Sequence, residues 1–118
     1  HKVTTLDPTV LDATTVLKMA TIDGARALGL DHRTGSLEPG KRADLIIVDT
    51  DAPHLTPLYH PDSHLVYAAR GSDVVTTMVD GRILMEDRQL MTLDEDAVME
   101  RAKEIAEAIR RSINIDRD

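Results

Sequence analysis

Four consecutive aliphatic residues, Leu45-Ile46-Ile47-Val48, stand between Asp44 and Asp49. The run is continuous rather than alternating, the pattern of a strand that is covered on both faces. Whatever supplies that cover is aliphatic, because the chain has no Phe, no Trp and only Tyr59 and Tyr67 as aromatics. Its 118 residues suffice for one compact domain or for a piece of something larger. Folded alone, a chain of this size buries about two thirds of its extended-state surface, a modest core.

The formal net charge of −7 argues against nucleic acid or an anionic membrane as the main partner, since both call for a cationic face. No apolar run approaches the ~20 residues that span a bilayer, and no secretory signal is present. The absence of cysteine removes disulfides, thiolate metal sites and thiol nucleophiles. The expectation is a soluble, cytoplasmic protein. The chain opens at His1 rather than Met, which leads us to expect sequence upstream.

A helix is predicted over Ala13–Leu28, capped by Asp12 and stopped by Gly29, with Val16, Leu17, Ala20, Gly24, Ala27 and Leu28 on one stripe. Leu6-Asp7-Pro8 breaks the chain before it, and His1–Thr5 reads as the tail of an earlier element. Glu38-Pro39-Gly40-Lys41 has type II turn chemistry and joins a short strand near Thr34–Leu37 to a strand over Ala43–Asp49. Pro53, Pro57 and Pro61 make Asp51–Pro61 an irregular excursion, followed by a short helix near Ser63–Ala69. Asp80-Gly81 is a hairpin signal between Val74–Val79 and Arg82–Glu86, and a two-residue turn there pairs Met78 with Ile83 and Thr76 with Met85. One face of that hairpin then carries Val74, Met78, Ile83 and Met85. A long amphipathic helix closes the chain over Leu93–Ile113. Either Thr92 and Glu95 form a capping box, or Asp94 caps and Leu93 staples onto Val98. Val98, Ala102, Ile105, Ile109 and Ile113 mark its buried face, and Glu107 is expected to reach Arg110 or Arg111 on the other.

Candidate chemistry is sparse. Gly35-x4-Gly40-Lys41 imitates a phosphate-binding loop, but Arg42 stands where Ser or Thr must hold magnesium, Pro39 has no N–H, Glu38 repels anions, and a strand follows instead of a helix. His54, His60 and His64 are close in sequence, and His60/His64 have the spacing of a helical metal pair. Pro61 and Asp62 nevertheless place His60 ahead of the helix, so packing or capping roles for His54 and His64 are the plainer expectation. Ser36, Ser63, Ser72 and Ser112 lack a nucleophile elbow, and Ser63-His64 are adjacent without forming a dyad by adjacency alone. Asp44 and Asp49 bracket the apolar strand, where carboxylates are solvated or bond loop amides. No residue of this chain is assigned a catalytic, substrate-binding or metal-binding role.

The stretch from Ala20-Thr21-Ile22-Asp23-Gly24-Ala25-Arg26-Ala27-Leu28-Gly29-Leu30 to Gly35-Ser36-Leu37-Glu38-Pro39-Gly40-Lys41-Arg42-Ala43-Asp44-Leu45-Ile46-Ile47-Val48-Asp49 resembles the C-terminal region of the amidohydrolase superfamily. Pro53-His54-Leu55-Thr56-Pro57-Leu58-Tyr59, Pro61 and Ser63-His64-Leu65-Val66-Tyr67-Ala68-Ala69-Arg70-Gly71-Ser72-Asp73-Val74 look like the 5-methylthioadenosine/S-adenosylhomocysteine deaminase group, with triazine chlorohydrolases close to it. Val79-Asp80-Gly81-Arg82 fits that group's late hairpin. His60 departs from the group's acidic residue at this position.

The resemblance implies an α+β fragment: the last helix of a (β/α)8 barrel, C-terminal strands of the flanking β-sandwich, and a terminal amphipathic helix over the outside. The corresponding divisions are residues 1–30, 31–90 and 91–118. It implies a parent enzyme in which a divalent metal, zinc or iron, activates water to displace ammonia from a purine. The metal ligands of that family have no match here and would lie upstream of His1. The implied partners are the remainder of the parent chain, a second copy in a homo-oligomer and a small nucleoside substrate, with neither nucleic acid nor membrane. Two rivals remain: a parent acting on triazines or guanine-type substrates, and a free-standing module that binds a protein and catalyses nothing.

Overall fold

The computed structural model describes residue 4 and residues 10–113. The break at Leu6-Asp7-Pro8 lies outside them, as does the element expected at His1–Thr5 save for helical Thr4.

The first helix is two. Asp12 caps α1 (Ala13–Ala20), its carboxylate accepting the Thr15 N–H at 2.7 Å. The chain then breaks at Thr21, with φ −120° and ψ −101°, before α2 (Ile22–Ala27). The single helix expected over Ala13–Leu28 fails here for a local reason. The Thr21 hydroxyl donates to the Leu17 carbonyl at 2.6 Å, and such back-bonding bends helices. Gly24 lets α2 fold back, since a Cβ there would stand 2.8 Å from the Met19 carbonyl oxygen. Of the expected stripe, Val16, Leu17 and Gly24 are half-buried while Ala20, Ala27 and Leu28 are exposed; Ala13 and Ala25 are the buried positions. Gly29, at φ 69°, ends α2 as expected.

The turn at Glu38–Lys41 closes as the sequence predicts, with Lys41 N–H on the Glu38 carbonyl at 3.1 Å and Gly40 at φ 91°. No strand forms at Thr34–Leu37. That segment leans on α2 instead: a Cβ on Gly35 would lie 2.6 Å from the Ala25 Cβ. β1 is therefore confined to Leu45–Val48, shorter than the expected Ala43–Asp49.

β1, β2 (Val74–Val79), β3 (Arg82–Glu86) and β4 (Gln89–Leu90) form one antiparallel sheet in sequence order. Asp80 and Gly81 have φ of 51° and 76°, the double positive of a type I′ turn. Met78 pairs with Ile83 as expected, but Thr77 rather than Thr76 opposes Met85, because the register slips between Thr77 and Met78. Met85 is thereby moved to the Thr77 side of the sheet, away from Met78 and Ile83. A second tight turn at Asp87-Arg88, φ 46° and 64°, adds β4, which the sequence pattern does not announce.

The proline-rich excursion holds the deepest side chain, Leu55, at 1% exposure. It leads into α3 (Pro61–Tyr67), which starts on Pro61 with His60 as the preceding cap residue. α1 packs on α3, and the Thr14 hydroxyl donates to Asp62 at 2.6 Å. α4 (Glu95–Ser112) is capped by Asp94, which accepts the Ala97 N–H at 3.0 Å. Its expected buried face is exposed: every residue from Met91 to Ile113 is open to solvent, because no other described part of this chain covers the helix. The expected Glu107 pairing is replaced by Arg101–Glu104 at 2.8 Å and Lys103–Glu100 at 3.8 Å.

β1 shows the same incompleteness. Ile46 and Ile47 point to opposite faces of the sheet and are 56% and 52% exposed. Leu45 and Val48 are half-buried, so the described residues cover each face of this strand only in part.

Gly35 and Gly40 separate contact from conformation. Gly35→Ala meets both a positive φ and the Ala25 Cβ, and should cost about 2–3 kcal/mol. Gly40→Ala meets open space and should cost only about 1 kcal/mol. Urea unfolding checks this; equal costs would contradict the contact between the loop and α2.

Candidate functional site

The reactive groups of the Glu38–Lys41 turn are engaged with one another. Lys41, largely buried along its stem, donates to the Ser36 hydroxyl at 2.6 Å and lies 3.4 Å from Glu38. Ser36 in turn donates to Glu38 at 2.5 Å. Its hydroxyl, and then Lys41, hold the Glu38 carboxyl below the usual range. This triad locks the turn and leaves no cation directed at a phosphate.

Two of the three mid-chain imidazoles, those of His54 and His64, go to different jobs. His54 Nε2 donates to Asp73 Oδ2 at 2.8 Å, and the same oxygen accepts the Arg70 N–H at 2.7 Å. The His54 bond chiefly, then the Arg70 amide, holds the Asp73 carboxyl below its ordinary range. A carboxylate in that state only accepts, so His54 Nε2 is the donor of this bond. His64 Nδ1 bonds the His60 carbonyl at 3.0 Å, closing the first turn of α3. Among the described residues no three His, Asp or Glu side chains converge as metal ligands. Ser63 donates its N–H to Asp62, Ser112 its hydroxyl to the Ile109 carbonyl, and the Ser72 carbonyl receives Arg88.

Asp44 and Asp49 bond loop amides, as their places at the ends of β1 suggest. Asp44 accepts the Asp80 N–H at 2.6 Å and the Thr34 hydroxyl at 2.8 Å, the amide being the larger influence that lowers its pKa. Asp49 accepts the Asp51 N–H at 3.0 Å and Arg88 at 3.2 Å, again with the amide leading. The two carboxylates thus hold the two tight turns of the sheet, one at Asp80 and one at Arg88.

Asp73 is the structural group that sequence reasoning missed. It is 6% exposed, and its partner His54 lies too far along the chain for any spacing rule to reveal. The nearest signal is local: Asp73 reaches back three residues to the Arg70 N–H, as a cap residue does.

An open apolar groove of about 740 Å³ lies between α2, the 34–37 segment and the β1–β2 part of the sheet. Most of its polar members are spent: Thr21 on Leu17, Thr34 on Asp44, Ser36 on Glu38. The groove has the chemistry of a packing surface.

The sequence profile of the amidohydrolase family matches residues 1–84. The chain belongs to the amidohydrolase family. It is 57% identical over 110 residues to a 5-methylthioadenosine/S-adenosylhomocysteine deaminase of Syntrophobacter fumaroxidans, a match covering 93% of this chain and 25% of that protein. It is 54% identical over 114 residues to a 5'-deoxyadenosine deaminase of Methanosarcina mazei, covering 97% and 26%. Its fold matches an adenosine deaminase from Xanthomonas campestris with bound zinc, at TM-score 0.85 and 41% identity over 93% of this chain and 25% of that one. A triazine hydrolase variant matches at TM-score 0.73 and 24% identity, over 84% and 22%, a likeness of fold alone. The chain therefore spans about a quarter of the length of the curated relatives it matches. This small α+β chain has the fold of the corresponding part of those structures. Among the described residues, no helix is long and apolar enough to cross a membrane.

The lowered pKa of Asp73 has a definite sign. Its contribution to stability is present above the ordinary carboxylate range and is lost as pH falls through the folded value. In urea midpoints from pH 7 to pH 3, Asp73→Asn should flatten the acid limb. His54→Ala, which removes the larger stabiliser of the ionised form, should bring the folded value closer to the unfolded one and flatten the limb in part. Curves parallel to the parent for both variants would contradict the arrangement.

Proposed function

We propose that this chain is the C-terminal part of a metal-dependent aminohydrolase that removes the amino group of an adenosine-type nucleoside, with 5-methylthioadenosine and S-adenosylhomocysteine as the leading substrates. The observation that carries this is identity above one half across more than nine tenths of the chain to proteins named as deaminases of such nucleosides. The reaction adds one water and releases one ammonia, turning the amino-bearing purine carbon into a carbonyl. A cytoplasmic location goes with this reading.

The part played by this chain is structural. The described residues do not fit a metal ion: His54 is spent on Asp73, His64 on a backbone carbonyl, and Asp44 and Asp49 on turn amides. The ion and the groups that use it are therefore assigned to the rest of the enzyme. In this reading α1 and α2 are the kinked last helix of a barrel, and the sheet is part of a flanking sandwich. The apolar groove and the open faces of β1 support it, because each is a surface in need of cover. A parent acting on triazines is the second reading, favoured only by the fold likeness at 24% identity.

The complete protein, loaded with zinc, is expected to release ammonia from 5-methylthioadenosine, and the 118-residue chain with the same additions to release none. Ammonia from the short chain would overturn its structural assignment. Failure of the complete protein on the nucleoside, with chloride release from a chlorinated triazine, would favour the second reading.

A further inference from the structure

Asp-Gly occurs twice in the chain, at Asp23-Gly24 and at Asp80-Gly81. This dipeptide rearranges by a simple route. The glycine amide nitrogen bonds to the aspartate Cγ, the amide proton and the hydroxyl of the protonated carboxyl leave as water, and a cyclic imide results. Water then reopens the ring. Attack at the side-chain carbonyl regenerates aspartate, and attack at the main-chain carbonyl leaves a β-linked residue, isoaspartate, with the backbone running through Cβ and Cγ. Glycine favours the first step because no side chain shields its nitrogen.

The two sites are similarly open to water but differently held. The Asp23 and Asp80 side chains are 46% and 54% exposed, and each carboxylate rests on an arginine, Arg26 at 2.7 Å and Arg42 at 2.9 Å. Asp23-Gly24 lies inside α2, where the Ala25 N–H on the Thr21 carbonyl and the Leu28 N–H on the Gly24 carbonyl fix the backbone on either side. Gly24 also has no room toward the Met19 carbonyl. Asp80-Gly81 is the tip of a hairpin, with open space around Gly81. Its ties come from three consecutive residues ahead of β1. Arg42 holds the Asp80 carboxylate, the Ala43 carbonyl accepts the Gly81 N–H at 3.0 Å, and Asp44 accepts the Asp80 N–H at 2.6 Å. The first two ties restrain the very groups that must meet in the rearrangement. Arg42 is itself 44% exposed, and an ion pair so open to water is weak.

We propose that Asp80-Gly81 is a site of isoaspartate formation, and that residues 42–44 gate it, with Arg42 as the restraint on the carboxyl. The β-linkage adds one carbon to the backbone of a two-residue turn, so the turn no longer matches the twist of β2 and β3. Because the clamp leads directly into β1, the change also loosens the start of that strand. The inference does not depend on what the enzyme acts on.

Ageing of the complete protein at mildly acidic pH tests this, read by proteolysis and electron-transfer fragmentation, which separates the two linkages by mass. Asp23-Gly24 is the reference within the same sample. In the folded protein the β-linkage is expected to accumulate several times faster at residue 80 than at residue 23, and in urea the two rates are expected to converge. Arg42→Ala should raise the rate at residue 80 about threefold, as loss of an exposed ion pair allows, and leave residue 23 unchanged. Arg42→Lys, which keeps the charge, should stay near the parent rate. No β-linkage at residue 80 in the folded protein, or no excess there over residue 23, would overturn the site. An unchanged rate in Arg42→Ala would refute the gate, and so would an equal rise at both residues, which reports general unfolding.

Discussion

The architecture depends on how β1 is fastened. Asp44, just before the strand, takes the Asp80 N–H, while the Ala43 carbonyl takes the Gly81 N–H at 3.0 Å and Arg42 pairs with Asp80 at 2.9 Å. Just after the strand, the Asp49 N–H bonds the Asp73 carbonyl at 2.8 Å and the Asp49 carboxylate holds Arg88. Both tight turns of the sheet are thus tied to the ends of one four-residue strand. Asp73 extends the fastening: its carboxylate draws in His54 from the proline-rich excursion and Arg70 from the connection after α3. What lies between these ties is purely aliphatic, so the strand is firmly positioned and poorly covered.

That combination sets Asp44, Asp49, Asp73, His54 and His64 to structural work. Charged or imidazole groups that are already satisfied by backbone amides and by each other serve geometry. The ionised state of Asp44, Asp49 and Asp73 is favoured by the same hydrogen bonds that set the turns, which is why all three carboxyls lie below their ordinary range. The proposed reading gives a reason for the pattern: a segment that shapes and closes a larger body would need tight turns and apolar faces more than reactive side chains.

What was legible in the sequence was local. Asp12 and Asp94 cap their helices, Pro39-Gly40 and Asp80-Gly81 make their turns, and Asp44 and Asp49 bond amides, because each effect is decided within a few residues. The kink at Thr21 escaped because a Thr inside a helical pattern bends the helix only where its hydroxyl turns back to the i−4 carbonyl. The turn at Asp87-Arg88 escaped because neither residue is Gly, and its left-handed backbone is held by Arg88 bonds to Val75, Ser72 and Asp49, all distant in sequence. Leu55 and the His54–Asp73 pair are likewise products of tertiary closure. Periodicity marked the apolar face of α4 correctly as apolar; it carried no information on what covers it.

The central claim is that both faces of β1 are built to be covered by the remainder of a larger enzyme. Hydrogen exchange measured at the Ile46 and Ile47 amides, in the 118-residue chain and in the complete protein, tests it most directly. The account predicts that exchange at these amides slows by orders of magnitude in the complete protein, while the Ala97 amide, held by Asp94, changes far less. Equal exchange at Ile46 and Ile47 in the two proteins would contradict it.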